Sequence, residues 1–138
     1  MTNTILTENR DGVLVVTFNR PEKKNAINTE MWVAIRDTFR NAAEDDEVVC
    51  ALLVGTGEHF CSGVDLSSFG DADPDEEHPF ESAARAVVEF DKPLVAAAQG
   101  VAIGGGATVL FHADIVYVGE SLRMRLPFAN LGLVPEWG

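Results

Sequence analysis

Two short runs of apolar residues constrain the fold of this 138-residue chain more than any other feature. Residues 48–54 read Val-Val-Cys-Ala-Leu-Leu-Val and are followed by Gly55 and Gly57, and residues 94–98 read Leu-Val-Ala-Ala-Ala. Strands that are apolar throughout, rather than at every second position, are typical of strands buried on both faces of a sheet. Helical patterns lie between the two runs, so the sequence predicts an α/β fold built in layers.

The remaining elements follow from turn and helix signals. Residues 4–8 and 13–18 predict two strands of a hairpin, joined by a turn over 9–12. Asn28 or Thr29 can cap a helix whose apolar side chains recur at helical spacing and are predicted to be buried: Met31, Ile35, Phe39 and Ala42. Further helices are predicted over 80–90 and 105–112 and near 66–69, and further strands over 114–118 and 122–126.

Charge and cysteine spacing exclude several classes of function. The formal net charge is −12, which argues against nucleic acid as a partner because phosphate binding needs basic residues. No apolar run approaches the roughly 20 residues that span a bilayer, so no membrane association is expected. No targeting signal is visible at the N-terminus, which predicts a cytoplasmic protein. Cys50 and Cys61 match no metal-binding spacing, so no metal site is expected and both thiols are predicted to be reduced.

Two junctions between a strand and a loop could carry chemistry. They are Phe60-Cys61-Ser62-Gly63-Val64-Asp65-Leu66 and Gly100-Val101-Ala102-Ile103-Gly104-Gly105-Gly106. Three glycines at a helix start are poor helix formers, and without Cβ atoms their amides can approach an anion or a developing oxyanion closely. A tight turn or close packing of helix on strand would explain the glycines equally well. A dinucleotide site is disfavoured, because no Gly-x-Gly-x-x-Gly follows a strand.

With four further motifs, these junctions resemble the enoyl-CoA hydratase/isomerase (crotonase) superfamily throughout the chain. The motifs are Asn19-Arg20-Pro21 through Asn25-Ala26, Lys92-Pro93, Ala113-Asp114 and Leu131-Gly132-Leu133-Val134-Pro135-Glu136. The resemblance implies a crotonase-like (ClpP/crotonase) layered β-β-α spiral core, with 1–138 as its N-terminal core domain. It also implies that the family's usual C-terminal helical part is lacking, and that the protein is a homotrimer or hexamer where that part is present.

The resemblance further implies an acyl-CoA thioester as substrate and partner, with coenzyme A entering only as part of the substrate and no permanently bound cofactor. The family's oxyanion hole consists of two backbone amides, which fall here on Val64 and Gly105. The expected substrate-binding positions are Lys24, Asn25, Ala26, Ser62, Gly63, Asp65, Leu66, Gly104, Thr108 and Phe128.

The catalytic acids distinguish this chain from the hydratases of the family. Those enzymes carry glutamates at the positions of Thr108 and Phe128, and threonine is no general base near neutral pH. Glu136 lies in a segment that resembles the single-glutamate 3,2-enoyl-CoA isomerases, so it is expected to be the base, with Phe128 and Trp137 as apolar surroundings. The resemblance thus implies isomerisation of 3-enoyl-CoA in fatty-acid metabolism. Hydration or other crotonase chemistry, and acyl-CoA binding without catalysis, remain alternatives.

Overall fold

The computed structural model describes residues 3–68, 77–135 and 137. Over these residues the chain forms seven strands: β1 (Ile5–Arg10), β2 (Val13–Phe18), β3 (Cys50–Gly55), β4 (Leu94–Ala98), β5 (Val101–Ile103), β6 (Ile115–Val118) and β7 (Arg123–Arg125). The same residues form three α-helices: α1 (Thr29–Glu44), α2 (Pro79–Val88) and α3 (Gly105–Thr108). Short 3-10 helices cover Pro21–Lys23, Leu66–Ser68, Val109–His112 and Ala129–Leu131.

The strands form two sheets, which confirms the predicted α/β fold. The larger sheet has five strands in the order β1-β2-β3-β4-β6, and the smaller consists of β5 and β7. Strands β2, β3, β4 and β6 pair in parallel, whereas β1 and β2 form an antiparallel hairpin. The hairpin turn is shorter than predicted: β1 continues to Arg10, and only Asp11 and Gly12 connect the strands. Both have positive φ, 51° and 91°, which suits the right-handed twist of a two-residue hairpin.

Helix α1 begins as predicted. The side chain of Asn28 caps it by accepting a hydrogen bond from the amide of Met31 at 3.0 Å. The predicted apolar stripe is buried, and Trp32 is buried beside it. At the other end of the helix, Lys92 donates to the backbone carbonyls of Ala42 and Asp45 at 2.7 and 2.6 Å. A cation on the last carbonyls satisfies unpaired acceptors and complements the helix dipole. The Lys92-Pro93 motif therefore anchors α1 to the start of β4.

Aromatic residues form much of the core under the sheet. Phe18 of β2 packs against Phe60 with ring centroids 5.4 Å apart, and Phe39 of α1 meets Phe90 edge to face at 5.2 Å. Fully burying such a side chain stabilises a fold by roughly 1.5–3 kcal/mol. Because Phe60 is completely buried, the first strand-to-loop junction begins at a residue that packs in the core.

Several features differ from the predictions or lie outside the described residues. Strand β5 was not predicted, and the helix predicted over 105–112 is one α-helical turn followed by the 3-10 turn Val109–His112. The strand predicted over 114–118 is β6, whose four residues are all exposed at the edge of the sheet. Most of the acidic segment 71–78 and the whole of Glu136 lie outside the described residues. No helix in the described part of the chain is long and apolar enough to cross a bilayer.

Candidate functional site

The two predicted junctions lie side by side. The amide of Cys61 donates to the carbonyl of Val101 at 3.0 Å, and the amide of Ile103 donates to the carbonyl of Cys61 at 3.0 Å. These two bonds form a parallel bridge between Cys61 and Ala102. The bridge holds two segments side by side that are about 40 residues apart in sequence. Each segment continues from the bridge into its own loop.

Beyond the bridge, the chain turns at Gly63 and brings the two loops into contact. Gly63 has φ of 95°, a conformation that glycine adopts without strain. A Cβ at this position would lie 2.6 Å from the carbonyl oxygen of Ile103 and 3.8 Å from the amide nitrogen of Gly105. The first distance is shorter than any van der Waals contact, so only glycine allows this approach. The amide of Gly105 consequently lies close to the Gly63–Val64 peptide.

The amides of Val64 and Gly105 have no hydrogen-bond acceptor within the described part of the chain. Ile27 donates to the carbonyl of Gly63 and accepts from the amide of Asp65, both at 2.8 Å. Because successive amides of an extended chain point to opposite sides, the amide of Val64 points away from Ile27. Neither the Val64 nor the Gly105 amide donates to an acceptor among the residues that the structure describes. Since unpaired backbone donors are rare, two of them on adjoining loops could bind one carbonyl oxygen.

Conformation and packing explain the outer glycines of the triplet. Gly104 adopts φ of 54° and ψ of −125°, a combination that residues with a Cβ avoid. A Cβ at Gly106 would lie 2.7 Å from the sulfur of Cys61 and 2.5 Å from its carbonyl oxygen. The turn and the close packing, which were the alternative explanation of these glycines, are therefore both present. They also bring the N-terminus of α3 into contact with the first junction.

The positions where hydratases carry glutamates hold no ionisable group here. Thr108 is buried, and its hydroxyl lies 3.3 Å from the carbonyl oxygens of both Gly104 and Gly105, within its own helical turn. Phe128 is buried as well. The predicted base, Glu136, lies outside the described residues, so its role stays a prediction.

Trp137, which follows the predicted base, belongs to the core. Its ring centroid lies 6.2 Å from that of Trp32, 5.9 Å from that of Phe80 and 5.6 Å from that of His112. Trp137 is therefore packed against α1 and α2. Whether Trp137 also forms part of the apolar surroundings of Glu136 stays a prediction.

The loop 24–26, predicted to contact coenzyme A, is built around a buried amide side chain. Asn25 is completely buried. Its Oδ1 accepts from the amide of Arg20 at 2.9 Å, and its Nδ2 donates to the carbonyls of Thr56 and His59 at 3.0 and 2.7 Å. Asn25 therefore shapes this loop from within. Its neighbour Lys24 is exposed, as a lysine contacting a phosphate must be.

The loop is tied to the first junction on two sides. Ser62 donates through its amide to the carbonyl of Lys24 at 2.9 Å. Arg20 donates to the carbonyl of Ala26 at 2.7 Å and forms a half-buried ion pair with Asp65 at 3.0 Å. The guanidinium of Arg20 is thus engaged within the protein. These contacts connect both segments expected to bind coenzyme A to the loop that carries the Val64 amide.

Asp65 is held as a carboxylate by several donors. Its Oδ1 accepts from the hydroxyl and the amide of Ser67 at 2.7 and 3.1 Å, as expected of a residue that caps the short helix Leu66–Ser68. These bonds, followed by the ion pair with Arg20, lower the pKa of Asp65 below its ordinary value. The next residue, Leu66, is largely exposed and is available for a ligand.

The family profile described as "Enoyl-CoA hydratase/isomerase" matches residues 8–138. The chain belongs to this family. Enoyl-CoA delta isomerase 2 of Homo sapiens is 37% identical over 96% of the chain, and 1,2-epoxyphenylacetyl-CoA isomerase of Escherichia coli K12 is 34% identical over 97%. A solved structure from Magnetospirillum magneticum, titled a putative enoyl-CoA hydratase/carnithine racemase, superposes on the whole chain with a TM-score of 0.93 at 40% identity.

The chain spans only part of these family members. It covers 36% of the human relative, 54% of the bacterial one and 55% of the solved structure. The superposition confirms the crotonase-like fold that the motifs predicted.

Sequence reasoning missed two contacts that hold the site together, the Asn25 network and the Arg20–Asp65 ion pair. Asn25 and Arg20 belong to the Asn19-Arg20-Pro21 through Asn25-Ala26 motif, but several of their hydrogen-bond and ion-pair partners lie far along the chain. The only signal was the motif itself. A polar residue that lies in such a motif and has no evident ligand is a candidate for a hydrogen bond that stabilises the fold.

Proposed function

We propose that the protein isomerises 3-enoyl-CoA thioesters to 2-enoyl-CoA thioesters. The observation that carries the proposal is that the amides of Val64 and Gly105, on two loops that contact each other at Gly63, donate to no acceptor among the residues that the structure describes. Such a pair can hold the negative charge that develops on a thioester oxygen when an α-proton is removed. One donor of this kind contributes roughly 10²–10³-fold to kcat.

In the proposed mechanism a single carboxylate moves one proton. The carboxylate of Glu136 removes a proton from C2 of the 3-enoyl thioester, and the electron pair is delocalised from C2 through the carbonyl carbon onto the thioester oxygen. The Val64 and Gly105 amides bind that oxygen in the resulting dienolate. Glu136 then returns the proton to C4, and the double bond comes to lie between C2 and C3. A positioned base of this kind contributes typically 10²–10⁴-fold.

The side chains at two positions favour isomerisation over hydration. Thr108 and Phe128 occupy the positions of the two hydratase glutamates, and the hydroxyl of Thr108 lies against carbonyls of its own helix. Hydration is the second candidate, because relatives of both kinds are similar to the chain: two named isomerases are 37% and 34% identical, and an enoyl-CoA hydratase is 33% identical.

The rest of the substrate is proposed to lie along the two tied loops. The exposed ammonium group of Lys24 would contact a phosphate of coenzyme A, and the segment from Ser62 to Leu66 would contact its pantetheine. This arrangement needs no metal or permanently bound cofactor for the proton transfer. The homotrimeric or hexameric assembly expected from the resemblance stays a prediction.

The test offers 3-hexenoyl-CoA and crotonyl-CoA separately to the wild-type protein, to Glu136→Gln and to Glu120→Gln. Glu120 is an exposed glutamate in the turn before β7 and serves as the matched control. We expect conversion of 3-hexenoyl-CoA that falls at least about 10²-fold in Glu136→Gln and stays within twofold of wild type in Glu120→Gln. Hydration of crotonyl-CoA that survives Glu136→Gln would overturn the choice of base. Binding of both thioesters without turnover would identify an acyl-CoA binder instead.

A further inference from the structure

The side chain of Cys61 lies between the two loops that carry the unpaired amides. It is completely buried, so it cannot touch a substrate. On one side its sulfur accepts a hydrogen bond from the amide of Gly63 at 3.4 Å. On the other side the second residue of α3, Gly106, lies so close that a Cβ there would be 2.7 Å from the sulfur.

Each contact lies beside one of the two donors. The bond from the Gly63 amide to the sulfur holds the Ser62–Gly63 peptide, which directly precedes the peptide that carries the Val64 amide. The bond from Ile27 to the carbonyl of Gly63 sets the direction of that second peptide, so the sulfur limits how far the Val64 amide can shift relative to α3. The contact with Gly106 sets how closely the first turn of α3 approaches the junction, and Gly105 is the preceding residue of that turn. The separation of the two amides therefore depends on the size of the Cys61 side chain and on its ability to accept a hydrogen bond.

We propose that Cys61 is a positioning residue, whose sulfur sets the distance between the Val64 and Gly105 amides. This inference rests on the proposed function, because positioning matters only if both amides bind the thioester oxygen. Misplacing a reacting group by about 1 Å can cost 10²-fold in rate. A buried residue without substrate contact could thus change kcat while leaving binding of the coenzyme unchanged.

The proposal predicts different results for three substitutions. Cys61→Ala and Cys61→Val remove the acceptor, so we expect kcat for 3-hexenoyl-CoA to fall at least about tenfold while KM changes less than twofold. Cys61→Ser keeps an acceptor for the Gly63 amide, so we expect its kcat to stay within about threefold of wild type. Cys50→Ala, at the start of β3, is the matched control and should leave both constants unchanged.

A second measurement reports on the amides directly. The infrared carbonyl band of bound hexanoyl-CoA, labelled with ¹³C at the thioester, moves to lower wavenumber when donors polarise the carbonyl. Only folded, ligand-bound molecules contribute to this band, so a loss of stability alone cannot move it. We expect the shift in wild type, Cys61→Ser and Cys50→Ala, and a reduced shift in Cys61→Ala and Cys61→Val. If the alanine variant does not fold, the valine variant is compared with serine.

The outcomes separate the two proposals. Absence of the band shift in wild type would overturn the proposed function, and the positioning role with it. A full shift in wild type that persists in an acceptor-free variant would overturn the role of Cys61 alone. Equal losses in serine and alanine variants would also overturn it, because the acceptor would then make no difference.

Discussion

Replacing Asn25 with alanine tests whether the buried amide network holds the loop 24–26 in place. The substitution leaves the Arg20 amide and the carbonyls of Thr56 and His59 without their partner. A buried polar group without a partner costs about 1–3 kcal/mol. The lower value applies here because these three groups are only partly buried and can regain water. Their sum is about 3 kcal/mol.

The backbone adds a second cost at the same position. Asn25 has φ of 56°, in the left-handed region that asparagine tolerates and alanine disfavours by roughly 1 kcal/mol. The expected loss in the free energy of unfolding is therefore about 4 kcal/mol. At roughly 4 °C per kcal/mol for a chain of this length, Tm should fall by about 16 °C.

Urea unfolding followed by tryptophan fluorescence measures this loss, since Trp32 and Trp137 are both buried. Asn41→Ala is the matched control. Asn41 is exposed on α1, and the same chemical change there should alter stability by less than about 0.5 kcal/mol. A loss below about 1 kcal/mol for Asn25→Ala, or one equal to that of the control, would refute the network as the reason for this residue.

Two further predictions concern ionisable groups. The pKa of Asp65 is lowered in the folded protein, chiefly by its hydrogen bonds from Ser67, so its stabilising effect is complete above about pH 5 and is lost as the pH falls through that lowered value. The urea midpoint of Asp65→Asn should therefore fall less between pH 7 and acid pH than the midpoint of wild type. Glu8→Gln, which alters an exposed ion pair, is the control and should behave as wild type. Equal acid sensitivity of the three proteins would contradict this prediction. Burial raises the pKa of Cys61 to about 12, so a thiol reagent at pH 8 should react with half-buried Cys50 and reach Cys61 only after unfolding. Mass spectrometry of the labelled peptides measures the labelling of Cys50 and of Cys61. Rapid labelling of Cys61 in the folded protein would contradict the prediction.

Elements defined by local patterns could be predicted from the sequence. Strands β2 and β4 were located to the residue, and α1 begins at its predicted cap, because periodicity and capping act within a few residues. Strand β5 could not be predicted in this way. It has three residues between glycines, and it exists because it pairs with β7 about 20 residues further along the chain.

The candidate site shows the same division. Both strand-to-loop junctions were visible in the sequence, since glycine clusters and apolar strands mark them. The reason why each position requires glycine was not visible in the sequence, because it depends on atoms from distant parts of the chain. Gly63 is needed beside the carbonyl of Ile103, and Gly106 is needed beside Cys61. Periodicity also located β6 without indicating that all four of its residues are exposed, because exposure depends on what packs against the strand.

The arrangement of the site separates substrate activation from the choice of reaction. The donors proposed to bind the thioester oxygen are backbone amides, so the side chain at position 64 is free to vary, whereas Gly63 and Gly106 are required by contacts with main-chain carbonyls. In the proposed mechanism the choice of reaction falls to the side chains at 108, 128 and 136. At Thr108 the buried hydroxyl lies within hydrogen-bonding distance of carbonyls in its own helical turn, so no water or carboxylate is needed there to satisfy it. Relatives that match the chain include both named isomerases and named hydratases. The reaction of this chain must therefore be assigned from those positions rather than from its overall identity to either group.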